Sequence, residues 1–79
     1  MIKTGGINVY AQEVESELGK HPEIKEVAVI GVPDERWSEA VKAIIVLEEG
    51  SRLSKSEIIA FSKKTLSSHK APKSVEIVD

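Results

Sequence analysis

Seventy-nine residues carrying a formal charge of −2 describe one domain with a thin core, because a chain this short buries only about 60 to 65% of its unfolded surface. Thirteen acidic against eleven basic residues build no strong positive field and disfavour a nucleic-acid partner. No apolar run approaches the roughly 20 residues of a membrane span, and the absence of cysteine removes disulfides, thiolate catalysis and the usual structural zinc sites, in keeping with a reducing, cytoplasmic setting.

Ile2 to Val9 places extended residues on both sides of Gly5-Gly6, which reads as a short hairpin, since glycine takes the positive φ that tight reversals need. Glu13, Glu15 and Glu17 then alternate with Val14 and Leu18. That pattern predicts a helix from Ala11 to Lys20, ended by His21-Pro22 and favoured at its start by the early glutamates. Ile24 to Val32 and Ala40 to Leu47 are β-rich apolar runs. Both are too continuous to show a wet face, so both are expected as central strands. Ser54 followed by Glu57 resembles a capping box opening a helix to about Leu66. Ile58, Phe61, Thr65 and Leu66 would line its buried stripe, with Lys63 and Lys64 solvated. Ser74 to Val78 forms a last strand. The sum is an α+β fold, a small sheet covered by helices, with a glycine hairpin at its N-terminus.

No autonomous active site emerges. His21 terminates a helix, and His69 lies in a polar connection before the last strand. Two isolated histidines make weak evidence for a metal centre, which needs three or four convergent ligands. Gly5-Gly6 falls short of a dinucleotide fingerprint or a phosphate loop. It is a plain reversal or, with no side chains at its tip, a backbone surface able to slide beside a narrow ligand. Pro33-Asp34-Glu35-Arg36-Trp37 reads as a surface turn whose Trp37 closes one end of the core, with Asp34 or Glu35 paired to Arg36 at little gain in stability. Lys70 and Lys73 are either solvated or meet an anionic ligand or another domain.

Set in order along the chain, three segments resemble the C-terminal domain of AMP-forming acyl-CoA synthetases, members of the adenylate-forming, AMP-binding superfamily. Ile2, Lys3, Gly5, Gly6, Ile7, Glu13, Val14 and Glu15 match the first. Gly31 to Glu39 matches a Gly-Val-Pro-Asp then Gly-Glu signature, and Lys70-Ala71-Pro72-Lys73 a Tyr-Lys-x-Pro-Lys segment, with His69 in the aromatic place. Two departures stand out: Ala11 where many members have proline, and Ser38 where the family has glycine.

The resemblance implies a mobile lid. In such enzymes a large N-terminal domain binds ATP, with magnesium, and a carboxylic acid, forms an acyl-adenylate and releases pyrophosphate. The small domain then rotates to bring its glycine hairpin to the site of thioester formation. Carried onto this chain, Lys3, Thr4, Gly5 and Gly6 would lie beside the pantetheine arm of coenzyme A. Lys70 and Lys73 would meet CoA phosphate or the large domain. Family members continue into a Pro-x-Thr…Gly-Lys segment whose lysine serves adenylation, whereas this sequence stops at Asp79. Residues 1–79 are therefore expected to be a lid fragment, inactive alone and carrying no catalytic residue. Lys63, Lys64, Lys70 and Lys73 are not substitutes for that lysine. Two other readings stand beside this one: the lid of a nonribosomal peptide adenylation domain serving a carrier-protein phosphopantetheine, and a freestanding α+β interaction domain whose glycine loop and Trp37 form a partner surface.

Overall fold

In the computed structural model, which describes residues 1–79, strand β1 (Ile2–Thr4) turns back into β2 (Ile7–Val9) across Gly5 and Gly6. Both glycines take positive φ, 58° and 82°, as a two-residue reversal of the I′ class requires. Helix α1 (Ala11–Leu18) follows, with extended Tyr10 at its N-cap and no side-chain cap. It stops short of Lys20 because Gly19 closes the last turn, its N–H donating to the Glu15 carbonyl. His21 therefore lies beyond the helix. Its Nδ1 accepts the Glu23 N–H at 3.0 Å, and its ring meets Phe61 edge-on at 4.8 Å.

Strands β3 (Ile24–Asp34) and β4 (Ser38–Leu47) make a long antiparallel ribbon, and β5 (Ser74–Val78) adds parallel to β4. The main path runs β2-β1-β4-β3, with β5 branching from β4. Only β4 is central. The expectation of two central strands fails for β3, which pairs with β4 alone and forms an edge. The continuous apolar run misled because alternate residues face opposite ways: Val29 is buried, while Ala28 and Ile30 are exposed.

Helix α2 (Lys55–Lys63) opens on the expected capping box, with the Ser54 hydroxyl accepting the Glu57 N–H and the Glu57 carboxylate accepting the Ser54 N–H. It ends before Leu66. Thr65 is exposed and donates to the Glu17 carboxylate instead of lining the core. Ser62 occupies the buried stripe, its hydroxyl satisfied by the Ile59 carbonyl at 2.6 Å. Both helices pack on one face of the sheet. Val14 and Leu18 of α1 and Ile58 of α2 join Val41, Ala43, Ile45 and Val75 in a single core. No helix is long and apolar enough to cross a membrane.

Candidate functional site: a glycine turn seated on Trp37

The sheet brings the β1–β2 reversal beside the β3–β4 connection. Thr4 pairs with Ser38, and the Gly5 N–H donates to the Trp37 carbonyl at 2.9 Å. A Cβ on Gly5 would stand 2.8 Å from Trp37 Cε3 and 3.1 Å from Cζ3. The indole ring therefore lies flush against the backbone, and only glycine fits. Gly6 differs. Nothing lies within 4 Å of the place its Cβ would take, so its backbone faces open space.

The connection beneath is built by Asp34. Its Oδ1 accepts the N–H groups of Arg36 at 2.8 Å and Trp37 at 2.9 Å, an Asx-type closure. The expected ion pair between Arg36 and Asp34 or Glu35 does not form. The ion pairs are Lys20–Glu17, Lys42–Glu76 and Lys70–Glu13. The aspartate spends its lone pairs on two backbone donors, and Arg36 stands 5.5 Å from the Trp37 ring centroid. Ser38 follows at φ 71°, the one non-glycine residue in the left-handed region. Trp37 is half-buried and lies outside the hydrophobic core cluster; it supports the glycine turn and does not close the core.

The residues singled out from sequence separate into two groups. Lys73 joins the turn, with its ammonium 5.7 Å from the Trp37 centroid and donating to the Ser68 carbonyl. His69 meets the same ring edge-on at 6.0 Å. Lys3 is exposed, and its backbone N–H donates to the Glu39 carboxylate at 2.9 Å. Thr4 points inward, 1% exposed, and its Oγ1 has no hydrogen-bond partner, so only its backbone lies along the turn. Lys70 is elsewhere, paired with Glu13 on α1 at 3.0 Å. His69 is not named from sequence as part of a site, and Trp37 only in the interaction-domain reading, where it forms a partner surface with the glycine loop. The legible signal was the lone tryptophan beside Gly-Val-Pro-Asp.

No group of three or more His, Asp or Glu side chains converges into a metal cage. Two surface depressions exist, of about 440 Å³ near Leu47 and Asp79 and about 260 Å³ over Ala28 and Ile44. Neither borders the glycine turn. The turn itself is exposed at both Gly5 and Gly6.

The fold is a small two-layer α+β domain with an exposed, side-chain-free reversal. The chain belongs to the AMP-binding enzyme C-terminal domain family, whose model matches residues 13–79. It is 48% identical over 79 residues to a feruloyl-CoA synthase from an Amycolatopsis species, covering all of this chain and 16% of that protein. A crotonobetaine/carnitine–CoA ligase from Proteus mirabilis is 46% identical over 76 residues, 96% of this chain and 15% of the ligase. Among solved structures, ATP-bound MatB from Rhodopseudomonas palustris superposes with a TM-score of 0.92 at 39% identity, over 96% of this chain and 15% of that one. The amide bond synthetase McbA from Marinactinospora thermotolerans gives 0.94 at 35% identity, over 98% and 16%. The chain thus spans about one sixth of the length of the relatives it matches.

Proposed function

We propose that this chain is the mobile C-terminal lid of an ATP-dependent, AMP-forming acyl-CoA synthetase. It would deliver the glycine turn to the conformation in which coenzyme A attacks the acyl-adenylate. The observation that carries the reading is the asymmetry of the two glycines: Gly5 is pressed against Trp37 while Gly6 is open. One side of the turn is anchored, and the other offers bare backbone to a narrow group such as pantetheine. Feruloyl-CoA synthase and crotonobetaine/carnitine–CoA ligase favour CoA as acceptor.

The partner is a large adenylate-forming domain, which holds ATP, its magnesium and the acid. The chain's own part is positioning: it closes over the thiol and the activated carbonyl and excludes water. Lys3, Thr4, Gly5 and Gly6 form the pantetheine-facing ribbon, through backbone alone at Thr4. Lys73, held at the same end, would meet CoA phosphate. Lys70, engaged with Glu13, is better placed for the domain interface. Without the large domain the chain does no chemistry, and a cytoplasmic setting accompanies the proposal.

The test mixes the chain at high concentration with the large domain of a CoA ligase of the family, then supplies preformed acyl-adenylate and CoA. Thioester that forms only when the chain is present supports the reading. Docking without acceleration rejects CoA transfer. A parallel reaction with a phosphopantetheinylated carrier protein distinguishes the alternative acceptor.

A further inference from the structure

The ribbon that carries the glycine turn is short. Strands β1 and β2 are three residues each, β2 pairs with β1 alone, and β1 meets the large ribbon at the single pair Thr4–Ser38. An isolated two-stranded hairpin is marginal in water. Ile2 and Val9 root its base in the core, but beyond Thr4 the tip has few supports. Those it has centre on Trp37, with His69 further off, its Cδ2 3.8 Å from the place of a Gly5 Cβ.

We propose that Trp37 is a positioning residue that sets the direction in which the glycine turn is presented. The inference rests on the lid reading above. The ring blocks Gly5 from one side, and the Trp37 carbonyl takes the Gly5 N–H. The residue is itself fixed from behind: Asp34 accepts its N–H, and the His69 ring stands nearly perpendicular to the indole at 6.0 Å. The Arg36 and Lys73 cations stand 5.5 Å and 5.7 Å from its centroid, within the range of cation–π attraction. Tryptophan suits the role because its large rigid surface orders few rotatable bonds. Its place outside the core cluster separates positioning from folding.

Two measurements test this. In the chain alone, NMR of the native protein should show one Gly5 Hα displaced by the indole ring current. Trp37→Leu should abolish that displacement and lower the heteronuclear NOE of Gly5 and Gly6, leaving core amides such as Val41 and Ile45 unchanged; Trp37→Phe should restore part of both. In an Amycolatopsis feruloyl-CoA synthase whose matching segment is replaced by this chain, thioester formation from preformed adenylate is then followed. Trp37→Leu should lower the rate on the order of 100-fold, the scale of an ångström misplacement of reacting groups, with Phe intermediate. If Gly6→Val stops thioester formation but Trp37→Leu does not, the lid reading stands and the role of Trp37 is overturned. If Trp37→Leu frees the turn in NMR and neither variant slows the thioester step, the lid reading itself is lost. An undisplaced, equally rigid turn in Trp37→Leu overturns the proposal directly.

Discussion

The Glu15 carboxylate accepts the backbone N–H of Val29 at 2.9 Å. One side chain on α1 thus occupies a donor that the edge strand β3 would otherwise present to solvent or to another strand. Free strand edges invite pairing with other chains, so the contact both seats the helix and protects the edge. Glu15→Ala should cost about 1.5 to 3 kcal/mol, the scale of a hydrogen bond to a charged acceptor. Glu15→Gln, which keeps an acceptor oxygen, should recover most of it. Urea denaturation of the three proteins measures the difference, and equal loss in both variants would show that charge, not the bond, matters.

Ser38 holds φ 71°, in the left-handed region that favours glycine. A side chain in the left-handed region costs about 1 to 2 kcal/mol, partly offset because glycine loses more backbone entropy on folding. Ser38→Gly should therefore stabilise the chain by about 0.5 to 1 kcal/mol, raising Tm by a few degrees in a domain this size. An unchanged or lower Tm would mean that the Ser38 side chain makes up for its backbone.

The two glycines should respond differently to alanine. At Gly6 only the positive φ opposes a Cβ, so Gly6→Ala should cost about 1 kcal/mol. At Gly5 the Cβ also meets Trp37 at 2.8 Å, so Gly5→Ala should cost more and quench or shift the indole fluorescence. Equal stability losses and an unaltered emission spectrum would contradict the packing described.

Glu57 has its carboxyl pKa lowered from the usual 4.5, first by the hydrogen bond from the Ser54 backbone and then by that of the Ser54 side chain. The folded value lies below the unfolded one, so the unfolded chain takes up the proton first. The stabilisation is present above pH 4.5 and is lost as pH falls through the folded value. Glu57→Gln retains the capping geometry without a titrating group. Melting curves between pH 6 and 3 should show a steeper acid loss for the native chain than for the variant, and parallel profiles would dismiss the effect.

What could be read from sequence was mostly local. The capping box depends on residues three apart, Ser54 and Glu57, and the last strand on its own five residues, so both were legible. Partners far apart were not. The solvent-facing side of β3 depends on how the sheet is ordered, and Thr65 leaves the buried stripe because α2 ends at Lys63. Lys70 and Lys73 look alike in one loop, yet one reaches Glu13 and the other Trp37. The contact of Gly5 with Trp37 joins two turns that only the pairing of β1 with β4 brings together.

The most direct measurement is single-turnover thioester formation by the feruloyl-CoA synthase chimera carrying this chain. Preformed feruloyl-adenylate and CoA are supplied, and native Gly6 is compared with Gly6→Val. The account predicts rapid turnover with glycine, a loss on the order of 100-fold with valine, and unchanged adenylate formation from ATP and ferulate. Equal thioester rates in the two proteins would contradict it.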